Sequence, residues 1–118
     1  MKNTMMTDNA KLLTELNAVA DEAAGLLGCM ANPDRLMLLC MLVQGERNVS
    51  ELRDLTGIEQ PTLSQQLTVL RNEGLAQTRK AGKYVYYRIG NPDVLRIMQT
   101  LYDIFCAPDR SESAPSLG

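Results

Sequence analysis

The stretch Asn48–Leu75, NVSELRDLTGIEQPTLSQQLTVLRNEGL, constrains this chain more than any other. It predicts two short helices joined by a tight turn. In the first, Leu52 and Leu55 are expected to share one side while Glu51, Arg53 and Asp54 face water. Gly57 suits the positive-φ position that a helix-to-helix turn needs, and Ile58 is placed to plug that turn. The second helix opens near Glu59-Gln60-Pro61. Within it Leu63, Leu67 and Leu70 recur at helical spacing, so one stripe packs inward, and Gly74 ends the helix as a C′ residue. The opposite face carries Thr62, Gln65, Gln66, Thr68 and Arg71. Amide and hydroxyl groups of this kind suit base edges in a major groove, with arginine available for guanine or phosphate. The pattern is that of a helix-turn-helix.

Two core-packing helices with a solvated polar face would satisfy much of this pattern. The next segment decides between the readings. Residues 77–89, QTRKAGKYVYYRI, predict a β-hairpin: Gln77 to Lys80 outward, a turn around Ala81-Gly82, then Lys83 to Ile89 returning. Val85, Tyr87 and Ile89 alternate with Tyr84, Tyr86 and Arg88, the period of a half-buried strand. A basic hairpin directly after a recognition-type helix makes a winged helix-turn-helix, mainly α with a small β-hairpin. Its tip, Arg79-Lys80-Ala81-Gly82-Lys83, would reach phosphates or a minor groove.

Charge fits this once it is divided along the chain. The whole chain carries a net −2, which looks wrong for a DNA-binding protein. Residues 61–90, however, hold Arg71, Arg79, Lys80, Lys83 and Arg88 against Glu73 alone, a local +4. Local field, more than overall charge, steers association with nucleic acid. The same segment argues against a winged helix used only for protein–protein contact, which needs no basic stretch.

With 118 residues the chain makes one small domain, expected over 10–106, with irregular ends at 1–9 and 107–118. Residues 8–30 predict one long helix, or two joined near Gly25 and Gly28, with Leu12, Leu16, Val19, Ala20, Ala23, Leu26, Leu27 and Met30 as the apolar stripe. Asn32-Pro33-Asp34 reads as a helix start. The helix that follows, Arg35 to Val43, is apolar almost all round and is expected to be buried on most sides, with Gly45 closing it. Asn91-Pro92-Asp93 repeats the start signal for a last helix running to about Phe105. The first and last helices show more apolar surface than one small chain can cover, and are expected to form a homodimer interface. No signal-peptide pattern and no membrane-length apolar run is present, so a cytoplasmic location is expected.

These residues resemble a known family. ANPDRLMLLCMLVQGERNVSELRDLTGIEQPTLSQQLTVLRNEGL followed by YVYYRI is similar to the ArsR/SmtB family of dimeric bacterial repressors, over roughly residues 10–105. The PxR helix start, the LTG turn, PTLSQQLTVLR, the GL exit and the VYYR strand occur together and in order. Within that family the chain is most similar to the persulfide-responsive SqrR/BigR/YgaV group, through a cysteine in LLCML and another in FCAP. These are Cys40 and Cys106. The resemblance implies a repressor bound to a pseudo-palindromic operator in double-stranded DNA. Thr62, Ser64, Gln65, Gln66 and Thr68 would read bases; Arg71, Arg79, Lys80 and Lys83 would hold phosphates. It also implies that Cys40 and Cys106 form a switch set by reactive sulfur species (persulfide, polysulfide) or oxidants, whose product is a polysulfide bridge or a direct disulfide.

Taken without the resemblance, Cys40 lies deep in an apolar run and reads as a plain core residue, whereas Cys106 sits at a helix end and should be reachable. Cys29 has no counterpart in the motif and is expected to be a bystander. Metal sensing through thiolate ligands is the alternative within the family. Neither family metal site is matched: Asn48-Val49-Ser50-Glu51 stands where one has paired cysteines, the last helix offers only Asp93 and Asp103, and the chain has no histidine. No metal or other cofactor is therefore expected. Nor is catalysis: Ser64 has no histidine to activate it, the carboxylates are scattered, and no glycine-rich phosphate loop is present.

Overall fold

The computed structural model describes residues 2–106; the expected irregular tail at 107–118 lies outside them. By internal contacts the chain divides into two units, one ending at Asn32 and one starting at Pro33.

The first unit is a single helix, α1 (Lys2–Met30). It is unbroken at Gly25 and Gly28. It also takes in residues 2–9, expected to be irregular; that segment contains neither proline nor glycine to stop a helix. Most of its large apolar residues are left uncovered within the chain: Leu12, Leu13, Leu16, Val19 and Leu27 are 46–62% exposed, and Leu26 is half-buried. Of these, Leu12, Leu16, Val19 and Leu27 follow helical spacing along one stripe. Cys29 and Met30, at its end, are buried.

The second unit holds α2 (Pro33–Val43), β1 (Arg47–Asn48), α3 (Val49–Thr56), α4 (Thr62–Asn72), β2 (Ala76–Ala81), β3 (Tyr84–Ile89) and α5 (Pro92–Phe105). α2 packs against α3, α4, β3 and α5, which makes it the central element. Its buried residues are Leu38, Leu39 and Leu42. Around them lie Leu52, Ile58, Leu63, Leu67, Leu70, Leu75, Ala76, Val94 and Met98, all buried. Each buried leucine contributes about 1.5–3 kcal/mol from removing its side chain from water. The expectation that α2 is covered on most sides is corrected: Met37 and Cys40 are exposed. Cys40 stands about 200° around the helix from both Leu38 and Leu42, so the core can cover that stripe and still leave Cys40 outside.

Two local motifs hold the helix-turn-helix in shape. Asn48 caps α3 in a reciprocal box, its side chain accepting from Glu51 N while the Glu51 carboxylate accepts from Asn48 N. Gly57, at φ 77°, closes α3 by donating to Arg53 O at 2.8 Å. Leu52 is fully buried, but Leu55 is 49% exposed rather than sharing its side. Three residues advance a helix by about 300°, enough to carry Leu55 past the edge of a short packing contact. At the end of α4, Leu75 N donates to Leu70 O and Gly74 N to Arg71 O, with Gly74 at φ 82°. This is the paired bonding of a Schellman motif, and it aims the chain from the recognition helix into the wing.

The wing is one strand larger than the expected hairpin. The sheet order is β1-β3-β2, with β3 in the centre and both neighbours antiparallel. Ala81 pairs with Tyr84, so the loop is Gly82-Lys83, one residue later than the expected Ala81-Gly82 turn. Gly82 has φ 63° and Lys83 does not have a positive φ, the signs of a type II′ hairpin turn. Arg47 pairs with Tyr87 and Asn48 with Tyr86, tying the entry of α3 to the wing. α5 starts as expected, with the Asn91 side chain accepting from Asp93 N at 2.8 Å and Pro92 in the first turn.

Candidate nucleic-acid interface and thiol pair

α4 buries Leu63, Leu67 and Leu70 and turns a polar face outward. On that face Ser64, Gln65, Thr68 and Arg71 are exposed, whereas Thr62 and Gln66 are half-buried. Pro61 occupies the N-cap position and offers no side-chain acceptor. Gln60 supplies one instead, its Oε1 accepting from Ser64 N at 3.0 Å. The first turn is thereby fixed without using any of the outward hydroxyls. Gln66 is not free like Gln65: its Oε1 accepts from Arg35 Nη1, on α2, at 2.6 Å.

The wing presents its basic residues unequally. Lys80 is exposed and enters no hydrogen bond or ion pair among the described residues. Lys83 lies in the loop, its Nζ 5.6 Å from the centre of the Tyr84 ring. Arg79 donates to Glu46 with its closest approach at 2.8 Å, and its guanidinium lies 4.9 Å from the centre of the Tyr86 ring. The Arg79 hydrogen bond, aided by its charge, holds the Glu46 carboxyl below the usual carboxylate range. Arg79 is thus engaged in the free chain, while no hydrogen bond or ion pair involves the Lys80 or Arg71 side chain among the described residues.

Cys40 and Cys106 are both exposed, and both are free thiols. Cys106 caps the end of α5, its N donating to Tyr102 O at 2.7 Å. α2 and α5, which carry or adjoin the two cysteines, pack together. The Cys40 thiol is pushed above its ordinary pKa, first by the protein around its sulfur and then by the negative charge of Cys106. The second cause requires the two sulfurs to lie within electrostatic reach. Cys29, in α1, is buried. Among the described residues no group of three cysteine, aspartate or glutamate side chains is placed to hold a metal ion.

Residues 32–78 match the sequence profile of bacterial regulatory proteins of the arsR family. The biofilm growth-associated repressor of Xylella fastidiosa (strain 9a5c) is 43% identical over 112 residues, covering 93% of this chain and 98% of the relative. The chain belongs to the arsR family. The corresponding repressor of Agrobacterium fabrum is 49% identical over 92 residues, covering 78% of this chain and 79% of that protein. Among solved structures, the transcriptional repressor BigR from Xylella fastidiosa superposes with a TM-score of 0.75 at 46% identity, covering 80% of this chain and 96% of that one. Reduced HlyU from Vibrio cholerae does so with a TM-score of 0.75 at 36% identity, over 79% of this chain and 98% of that one. A domain from Mycobacterium bovis described as a homodimeric winged helix-turn-helix has a TM-score of 0.65 at 35% identity, over 78% of this chain and 88% of that one.

Family membership places the chain among DNA-binding transcriptional repressors of winged helix-turn-helix fold, not among enzymes. Two polar residues that hold candidate site residues, Arg35 and Glu46, gave no signal in the sequence. Each lies more than thirty positions from the residue it holds, and no local pattern announces such a pair. The third strand was equally silent, being two residues long. The cap Asn48-x-x-Glu51 did have a local signature, an N-cap side chain followed three residues later by glutamate. Among the described residues, no single helix is long and apolar enough to cross a membrane.

Proposed function

We propose that the chain is a homodimeric repressor of a pseudo-palindromic operator, released from DNA when reactive sulfur species link Cys40 to Cys106. The observation that carries the switch is the thiol pair itself: both exposed, on two helices that pack together, and near enough for one charge to disfavour the other. The dimer reading rests on uncovered apolar residues, Leu12, Leu16, Val19 and Leu27 on α1 and Tyr102, Ile104 and Phe105 on α5, together with the homodimeric relative. Two copies would set two α4 helices in successive major grooves, about 34–36 Å apart or a multiple of that. Thr62, Ser64, Gln65, Gln66 and Thr68 are the base-facing residues; Arg71, Lys80 and Lys83 grip phosphates, joined by Arg79 when it leaves Glu46. Such a protein works in the cytoplasm, beside the DNA it binds.

The chemistry balances with a hydropersulfide, RSSH, as the only reagent. The Cys106 thiolate attacks the outer sulfur, forming a Cys106 persulfide and releasing the thiol RSH. Attack by Cys40 on the inner sulfur of that persulfide expels hydrosulfide and leaves a direct disulfide. If a second RSSH first lengthens the chain by one sulfur, releasing a second RSH, the same attack leaves a three-sulfur bridge and one hydrosulfide. In each route the two cysteine sulfurs are oxidised and one persulfide sulfur is reduced to hydrosulfide; in the longer route the other stays in the bridge. Cys106 is assigned as the first nucleophile because it is exposed at the end of α5, whereas the protein around the Cys40 sulfur disfavours its thiolate. A bridge would tie the end of α5 to α2, which packs on α3 and α4. Coupling of only about 1–3 kcal/mol changes affinity by roughly 5–150-fold. The test is mass spectrometry of the reduced protein after an organic persulfide, paired with operator binding. The proposal expects a link joining Cys40 to Cys106, either a direct disulfide or a bridge with one added sulfur, and loss of DNA; modification found only on Cys29, or no loss of DNA, would overturn it.

A further inference from the structure

The recognition helix is joined to the central helix by a side-chain pair that the reading above does not use. Arg35 Nη1 on α2 donates to Gln66 Oε1 on α4 at 2.6 Å, in a part-buried setting. A guanidinium carries five N–H donors and no acceptor. Only the oxygen of the Gln66 amide can therefore face Arg35, since the reversed amide would oppose N–H to N–H. The pairing fixes which end of Gln66 remains on offer, and that end is the NH2.

This matters because glutamine reads adenine with both ends at once, its oxygen accepting from N6–H and its nitrogen donating to N7. The oxygen bonded to Arg35 retains a second lone pair. Bidentate reading, however, needs oxygen and nitrogen turned together to one base edge, and the contact turns the oxygen towards α2 instead. A donor-only side chain suits an acceptor-only edge, of which guanine, with N7 and O6, is the fullest. Gln65 is exposed, and no hydrogen bond involves its side chain among the described residues, so it keeps both ends for adenine.

Resting on the proposed role of α4 in base reading, we infer that Arg35 is a positioning residue for specificity: it orients the Gln66 amide so that Gln66 selects guanine over adenine. The neighbouring glutamines of one helix are thereby given different base preferences.

The test uses the full-length dimer and an operator selected from randomised duplexes, with affinities then measured for every single-base variant. Wild type should prefer guanine to adenine by about 10-fold at one position in each half-site, within the range for a good direct contact. Gln66→Ala should erase that preference. Arg35→Met should shift it towards adenine and leave other positions unchanged, with no further effect on the profile in the Gln66→Ala background. Arg35→Lys, still a donor without an acceptor, should restore part of it. Gln66→Glu keeps Arg35 paired but offers no donor, so it should lose guanine whether or not Arg35→Met folds well. A uniform weakening of all sequences by Arg35→Met would overturn the inference, since a phosphate contact or a structural role acts in that way. An adenine preference in wild type at the Gln66-sensitive position would overturn it too. Should Gln66→Ala leave every position unchanged while Gln65→Ala does not, the inference falls and α4 stands as the reader; if both variants are silent, the reading of α4 falls with it.

Discussion

Replacing Gly74 tests how the recognition helix is joined to the wing. Gly74 sits at φ 82°, and its two neighbouring bonds, Gly74 N to Arg71 O at 3.1 Å and Leu75 N to Leu70 O at 2.9 Å, both depend on that backbone conformation. An added Cβ meets nothing within 4 Å, so any cost is conformational rather than a clash. For an L side chain the left-handed conformation costs roughly 1–2 kcal/mol, and asparagine tolerates it better than alanine. Gly74→Ala should therefore lose about that amount, and Gly74→Asn less. In a domain of this size each kcal/mol corresponds to a fall in melting temperature of about 4–8 °C. Urea unfolding at one fixed protein concentration is the assay, because dimerisation would contribute to apparent stability. The midpoint should fall in the order glycine, asparagine, alanine, with unchanged slope. An alanine variant as stable as wild type would refute the left-handed cap.

Other outcomes follow from single contacts. Lys80→Ala should weaken binding to all sequences alike and flatten the dependence of log affinity on log salt by about one unit; sequence-selective loss would instead make Lys80 a base contact. Glu46→Gln removes the carboxylate that engages Arg79, so it should strengthen DNA binding generally and steepen the same plot, with little change in stability because the pair is exposed; unchanged binding would show that Arg79 does not reach DNA. The Cys40 thiol is raised by burial and by Cys106, so its alkylation should need higher pH than that of a free cysteine. Cys106→Ser should move that profile part of the way down, since the charge is removed and the burial stays; an upward movement would contradict the proximity of the two sulfurs. Zinc added to purified protein should not release the operator, and tight equimolar binding through thiolates would revive the metal-sensing alternative.

What could be read in advance was what local chemistry dictates. The leucine stripe of α4, the glycine turns at Gly57 and Gly74 and the Asn-Pro-Asp start of α5 each depend on residues a few positions apart. The contacts that join elements could not be read in this way. β1 exists only because β3 lies beside it, and Arg35–Gln66 and Glu46–Arg79 exist only once the chain has folded. Leu55 and Cys40 fail for a related reason: an apolar neighbourhood in sequence is not a covered face in space. At Cys40 the difference bears on the proposed switch, because the exposure that a core reading denies is what a reactive thiol requires. The proposed pairing of Cys40 with Cys106 came from resemblance, since residues 66 positions apart carry no local pattern that joins them.

Whether the two thiols control DNA binding is decided by the operator affinity of the reduced protein before and after titration with an organic persulfide, with wild type compared with Cys40→Ser and Cys106→Ser. The account predicts a fall of roughly 5–150-fold for wild type, reversed by a thiol reductant, and unchanged affinity for both variants. Wild type that stays bound, or a variant that releases DNA as wild type does, would contradict it.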